Sequence, residues 1–453
     1  MSKLYELFKA CGCRLTTDSR RIGGGELFLA LKGENFDGNL FAVKALRDGA
    51  AYSIISEDAV LDIPGDLEDR IIRVPDTLAA LSELARQHRQ RVLEGRKSAA
   101  CALEGHLPVI GLTGTNGKTT TKELIKAVLS SKYRVSATEG NLNNDIGVPL
   151  TLLSIKPDTD IAIVEMGASH PDDITKLVQV CQPDYGLITN VGRAHLLGFG
   201  SFEGVKAAKG QLYNYLGSHE GSLIFLNEDD ADLRAMAASQ PCHIFGYGLG
   251  NQNARVLPQT PDSPFLRLQM GEDLVETHLV GAYNAANVLC AIAIGTYFGV
   301  DRSEAIAAVS AYEPSNKRSQ LVRSGDNTLI VDAYNANPAS MMAAIDNFCA
   351  MQAPSKIAML GDMRELGDDS LKEHVRIVWK LVTENLQCYL VGEQFSRAVT
   401  QLGLDPGEDC CVRGCFADSE ELAQFVAAHP VSNTTVLIKG SRGILMEKVL
   451  ESL

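Results

Sequence analysis

The stretch Val109–Thr120 reads VIGLTGTNGKTT, an apolar run entering a turn with glycines at 114 and 117, followed by Lys118, Thr119 and Thr120. Gly114 and Gly117 allow the backbone to turn so that the N–H groups of the loop, Thr115 and Asn116 included, converge on phosphate oxygens. Lys118 supplies a positive charge for the β- and γ-phosphates, and the Thr119 hydroxyl can reach Mg²⁺. The helix predicted to start here presents its positive end to the anion. The common phosphate-loop spacing would place glycine at 112, where this chain has Leu112. Glycine turns between strands and helices are common, but strand, loop, Lys-Thr and helix together point to phosphate binding.

Other polar residues stand where strands should end. Glu165 closes the apolar run TDIAIVEMGA. A carboxylate there is costly unless it faces a cleft or a metal, and beside a phosphate loop it suits Mg²⁺. His195 follows another strand end, in the glycine-rich NVGRAHLLGFGS; its position alone leaves structural and catalytic roles equally open. Asn141, Asn143, Asn144 and Asp145 precede an apolar helix, with Asp145 expected as its cap and the asparagines as contacts for a polar ligand. YNANP (Tyr334–Pro338) and KGSRG (Lys439–Gly443) are ordinary turns or, alternatively, amide donors and a cationic clamp for a carboxylate.

The elements that must position these residues alternate. Residues 1–104 open with a short amphipathic helix carrying Leu4, Leu7 and Phe8 on one face, then β-rich runs and a helix over Thr77–Arg91. Residues 105–312 read as strand–helix alternation with continuous apolar strands, the pattern of a parallel sheet covered on both faces. Residues 313–453 repeat it with four strands, TLIVDAYNAN, KIAMLGD, QCYLVG and TTVLIKGSRG, whose polar ends Asp332, Asp362 and Lys439 mark a second binding edge. The fold class is therefore α/β in three domains, as 453 residues would suggest.

With 42 basic and 56 acidic residues the chain carries a net charge of −14, which argues against broad contact with nucleic acid or anionic membrane. No apolar run reaches the length of a membrane span, and the first residues lack the features of a signal peptide. The eleven cysteines form no CxxC pair and are expected to be reduced thiols, so the expected compartment is the cytoplasm.

Taken together, GTNGKTT, NLNNDIGVPLTLL, VEMGA, NVGRAHLLGFGS, AAKG, GAYNAANVLCA, KRSQ, VDAYNANPASM, GDMRELG and KGSRG resemble, in order, the motifs of the Mur ligases. These are ATP-dependent amide-forming enzymes of peptidoglycan precursor synthesis. TDSR, LALKGENFDG, YNAN and GDMRELG resemble the type that adds D-alanyl-D-alanine to UDP-N-acetylmuramoyl-tripeptide. The resemblance implies an N-terminal UDP-binding domain, a central phosphate-loop ATPase and a C-terminal Rossmann-like domain for the amino substrate. It implies ATP and two Mg²⁺ ions held by Thr119, Glu165, His195 and a carbamylated Lys209. It also implies nucleotide contacts from Gly114 to Thr120 and from Asn284, Asn287, Arg318 and Asp332. Substrate contacts would come from Ser19, Arg20, Lys32, Asn143, Asn144, Asn335, Asn337, Lys439, Ser441 and Arg442. The implied protein is a monomer acting on small molecules, without nucleic acid or membrane partners.

Three positions depart from the family pattern: Tyr283 and Asn39 stand where histidine is frequent, and Gln211 where glutamate is frequent. The alternatives are a related Mur or folylpolyglutamate-type ligase with another amino acceptor, or a nucleotide-dependent switch or transport ATPase. Against the last, no guanine-reading NKxD motif is present.

Overall fold

Four short parallel strands, in the spatial order Leu15–Thr16, Leu27–Leu29, Tyr52–Ser56 and Ile71–Val74, form the first sheet of the computed structural model. The structure describes residues 3–33, 36–259, 263–314, 318–407 and 410–453. Glu34 and Asn35 of LALKGENFDG, and Lys317 of KRSQ, lie outside the described residues. The opening helix spans Lys3–Ala10 and buries Tyr5 and Phe8, with Leu4 and Leu7 packed partly beside them. The helix Thr77–Arg91 starts where Asp76 accepts hydrogen bonds from the Leu78 and Ala79 amides, satisfying two of its free N–H groups.

This first layer does not stand apart from the next. Leu81, Leu84 and Ala85 share one apolar core with Val148, Leu152 and Leu177. His88 is buried at the junction, its Nε2 2.8 Å from the Ile155 carbonyl oxygen, and Arg89 pairs with Asp184 at 2.9 Å. Burial holds the His88 imidazole below its ordinary pKa, the Ile155 carbonyl opposing.

The central sheet has six parallel strands in the order His243–Tyr247, Leu223–Asn227, Tyr185–Ile188, Val109–Thr113, Ile161–Glu165 and Val135–Ala137. Every residue of Val109–Thr113 and Ile161–Glu165 is buried, as strands covered on both faces must be. The first strand in chain order sits between Tyr185–Ile188 and Ile161–Glu165, so the winding reverses beside it. Ligands bind at such a switch point, outside the carboxyl ends of the strands. A small antiparallel sheet, Ala254–Val256, Arg267–Met270 and Asp273–Glu276, follows.

The last sheet also has six strands, where the apolar runs predicted four: Gln320–Ser324, Asn327–Asp332, Thr435–Lys439, Lys356–Gly361, Cys388–Val391 and Val412–Phe416. The two additional strands are its edges. Gln320–Ser324 pairs antiparallel with its neighbour and Val412–Phe416 parallel. Asp362 was expected at a binding edge, but its carboxylate accepts from the Gln394 and Phe395 amides at 3.0 and 2.9 Å. It caps the helix Glu393–Gln401 instead of facing a ligand.

Candidate active site

The carboxyl ends of the central and last sheets face one another across a cavity of about 1010 Å³, lined among the described residues by 39 residues of these two domains. One wall is the turn after Val109–Thr113. Gly114 has φ +148° and a Cβ there would lie 1.9 Å from Thr189 Oγ1; Gly117 has φ +78° and its Cβ would lie 2.8 Å from Asn287 Oδ1. Both positions therefore exclude side chains, and the turn is held against the segment after Tyr185–Ile188. Asn116 N donates to Asn190 Oδ1 at 3.0 Å, and Thr189 Oγ1 donates to the Asn116 carbonyl at 2.6 Å. Leu112, the departure from the common spacing, is a buried core residue of the strand, and the turn begins after it.

Lys118 opens the helix Lys118–Leu129 and folds over its own loop, donating to the Gly114 and Thr115 carbonyls at 2.7 and 3.2 Å. Burial lowers the pKa of its ammonium, Glu165 opposes and Arg318 adds to the lowering. Thr120 and Thr115 also line the cavity.

Glu165 is 1% exposed and, among the described residues, accepts from neutral donors, Thr119 Oγ1 at 3.0 Å and Asn143 Nδ2 at 2.8 Å. A buried carboxylate with no ion pair among the described residues, beside a hydroxyl and facing a phosphate loop, is a set of hard oxygens that suits Mg²⁺. Among the described residues no group of three or more His, Cys, Asp or Glu is placed to hold a metal by itself. Asp145, expected as the cap of the helix Gly147–Leu153, does not cap it: the Gly147 amide donates instead to Asn144 Oδ1 at 2.8 Å. One residue of register decides which side chain reaches the helix start.

A second group lies at the start of the helix Ala285–Tyr297. Asn287 donates to Asn284 Oδ1 at 2.9 Å and accepts from Thr121 at 3.0 Å. Tyr283, in place of the frequent histidine, keeps a polar contact through its hydroxyl, 3.1 Å from Ser319 Oγ. Arg318 stacks its guanidinium 3.7 Å from the centre of the Tyr334 ring, and its Nε is buried without a hydrogen-bond partner among the described residues.

The opposite wall belongs to the last sheet. Lys439 is buried and bonded to Asp332 and to the Asn335 carbonyl, so its charge is already matched. Ser441 is buried too, accepting from the Arg364 amide at 2.9 Å, whereas Arg442 is exposed. Asn337 caps the helix Pro338–Ala350 and reaches the phosphate loop, donating to Asn116 Oδ1 at 2.7 Å. Across the same gap His195 Nδ1 lies 2.6 Å from Glu365 Oε2. Burial lowers the His195 pKa, and Lys118 and Lys209 add to this against the opposing charge of Glu365.

The structure thus gathers most of the sequence candidates at one cavity, but not all of them. Ser19, Arg20 and Lys32 do not line it; Arg20 is exposed and held by Asp18 at 2.9 Å. Lys209, on the helix Phe202–Gly217, lies outside the lining and is 2% exposed, its Nζ 5.8 Å from the Phe199 ring centre. Burial, and then Lys118, push its pKa well below the ordinary lysine value, with Asp173 opposing. Gln211 accepts from the Thr175 amide and Asn39 from the Ser56 amide, both at 3.0 Å, so these two departures fill local backbone roles. Arg364, Glu365 and Asn190 line the cavity without having been assigned roles from sequence. Their signal was the GDMRELG motif and the polar strand end at Asn190.

Comparison with known proteins places this arrangement. Residues 14–89 match the family described as Mur ligase family, catalytic domain; residues 112–295 match Mur ligase middle domain; residues 317–442 match Mur ligase, glutamate ligase domain. The chain is 32% identical over 444 residues to the UDP-N-acetylmuramoyl-tripeptide--D-alanyl-D-alanine ligase of Bacillus subtilis, covering 97% of this chain and 92% of that one. It is 33% identical to the Escherichia coli enzyme of the same name, with 97% and 93% covered. The crystal structure of MurF from Acinetobacter baumannii superposes with a TM-score of 0.81 at 29% identity, covering 97% and 93%. MurF ligase of Thermotoga maritima, in complex with ADP, superposes with 0.79 at 26% identity, covering 100% and 98%.

Proposed function

The chain belongs to the Mur ligase family, and from that premise we propose that it joins D-alanyl-D-alanine to UDP-N-acetylmuramoyl-tripeptide, converting ATP to ADP and phosphate. The observation that carries this reading is one cavity with a phosphate loop and a buried carboxylate on one wall and the polar strand ends of another domain on the other. We divide the chain into a UDP-binding domain at 1–104, an ATPase domain at 105–312 and an amino-substrate domain at 313–453, acting in the cytoplasm on small molecules.

A carboxylate is a poor electrophile, so amide formation needs activation. The terminal carboxylate of the tripeptide attacks the γ-phosphorus of ATP; a C–O–P link forms and ADP leaves. The free amine of the dipeptide then attacks the acyl carbon, the C–N bond forms, the nitrogen gives up one proton, and phosphate departs with the C–O bond electrons and takes up that proton. Each step crowds anionic groups, and fixed positive charge is what lowers the barrier. Mg²⁺ held by Thr119 and Glu165, with His195 and Lys209 toward a second ion, would supply that charge when bound. Lys118 adds a cation at the phosphates once ATP displaces it from the loop carbonyls.

Lys209 is best read as a carbamate. Its burial disfavours the ammonium form, and the neutral amine is the form that reacts with CO₂. The product carries a negative charge and two hard oxygens, which suit the cations gathered nearby. Asn284, Asn287, Arg318 and Asp332 are assigned to the nucleotide, and Asn143 and Asn144 to the acceptor peptide. Asn335, Asn337 and the Lys439–Arg442 loop, Ser441 included, border the amine. Ser19, Arg20 and Lys32, away from the cavity, are assigned to the UDP end.

An amino-acceptor panel tests the reading. D-alanyl-D-alanine should support ligation while L-lysine, D-glutamate and glycine do not; equal use of a single amino acid would reassign the enzyme to another ligase type.

A further inference from the structure

We propose that Arg364 and Glu365 form a clamp for the zwitterionic amino substrate, with Glu365 holding its ammonium and Arg364 its carboxylate. The claim rests on the functional reading above and adds two residues to it. Among the described residues the cavity is lined by five acids, Asp145, Glu165, Asp173, Asp332 and Glu365. A cationic amine arriving from the C-terminal domain needs a carboxylate of that domain whose charge is not already spent. Asp332 is matched by Lys439. Asp173, on the central domain, accepts from the Ser169 and His170 amides at 2.8 Å each. Glu165 and Asp145 also belong to the central domain. Glu365 remains: its side chain is 60% exposed, and its ion-pair contact with His195, at 2.6 Å, is to the facing domain.

That contact shows where the carboxylate reaches. It spans the cleft to the wall that carries the phosphate loop, so an amine hydrogen-bonded to Glu365 is delivered to the side where the acyl phosphate forms. Both partners hold left-handed backbone conformations that are unfavourable for non-glycine residues, φ +65° at Glu365 and +52° at His195. Strain of this kind persists where the surroundings demand a particular side-chain direction.

Arg364 supplies the opposite charge one residue away. Its amide is tied to Ser441 Oγ, and its guanidinium lies against Gly443, where any Cβ would stand 2.2 Å from it. The KGSRG loop thus fixes the arginine next to the acid.

Steady-state kinetics of the full-length enzyme test the clamp. Glu365→Gln should raise the D-alanyl-D-alanine KM by about 10- to 100-fold, the loss of one charged hydrogen bond. The KM values for ATP and the UDP-tripeptide should stay within about twofold, and Glu365→Asp should recover part of the loss. Hydroxylamine, uncharged near neutral pH, should trap the acyl phosphate as hydroxamate at the wild-type rate in Glu365→Gln. Arg364→Gln should weaken use of the dipeptide but not of D-alanyl-D-alaninamide, which lacks the carboxylate. An unchanged dipeptide KM in Glu365→Gln overturns the clamp while leaving the ligase assignment standing. Hydroxamate formation that falls as far as ligation also overturns it, because Glu365 would then serve the domain contact or the phosphates. Wild-type enzyme that ligates another amine and ignores the dipeptide overturns the functional reading first, and the clamp with it.

Discussion

Asn337 and Asn116 are hydrogen-bonded across the cleft, Nδ2 of the first 2.7 Å from Oδ1 of the second, while Asn337 Oδ1 also accepts from the Ser340 amide at 2.9 Å. One side chain therefore starts a helix of the C-terminal domain and fastens that helix to the phosphate loop. The two duties can be separated. Asn337→Asp keeps the cap and loses the donor, so stability should hold while the KM for ATP rises several-fold. Asn337→Ala should lose about 1 kcal/mol of stability as well. Urea unfolding together with ATP kinetics checks both.

Lys118→Ala should fold normally and lose about 10²- to 10³-fold in turnover, the usual cost of removing one group that stabilises developing charge. Circular dichroism and phosphate release are the readouts. Near-normal turnover in the folded variant would remove the phosphate-cradle assignment.

Lys209→Ala should be nearly inactive and regain activity with added acetate, whose carboxylate replaces the proposed carbamate. Lys209→Arg fills the space with a permanent cation and should not be rescued. Full activity of Lys209→Ala, or an unmodified lysine in well-resolved density of the active enzyme, would contradict the carbamate.

Stability should fall on the acid side. Burial lowers the pKa of His88 and His374 below the ordinary 6.5, so between the folded and unfolded values the unfolded chain binds more protons. Stability therefore rises with pH through that window, is complete above about 6.5, and declines as pH drops below it. Melting temperatures from pH 7.5 to 5.5 should show the decline, and His88→Gln should make it shallower.

The phosphate loop was legible in the sequence because its signal is local, glycines at 114 and 117 before Lys118, and the helix Thr77–Arg91 has the bounds the sequence suggested, starting where Asp76 accepts from the Leu78 and Ala79 amides. The edge strands Gln320–Ser324 and Val412–Phe416 were not, because an edge strand is only half buried and lacks the continuous apolar run that marks an interior one. Asp145 was misread for a different reason. Asn144 and Asp145 are both good caps, and only the observed register puts Asn144 at the Gly147 amide.

The contact between His195 and Glu365 had no sequence signature, since the residues are far apart in the chain and meet only where two domains face each other. Nor could Asp362 be told from a ligand contact, because a strand-end acid serves equally well to bind a helix start or a substrate.

The most direct measurement is phosphate release from ATP and Mg²⁺ with UDP-N-acetylmuramoyl-tripeptide, in the presence and absence of D-alanyl-D-alanine, with the nucleotide product weighed by mass spectrometry. Phosphate release should depend on both substrates, and the UDP product should gain the mass of the dipeptide less one water. Phosphate release that needs neither carboxylate nor amine, or a UDP product of unchanged mass, would contradict the assignment.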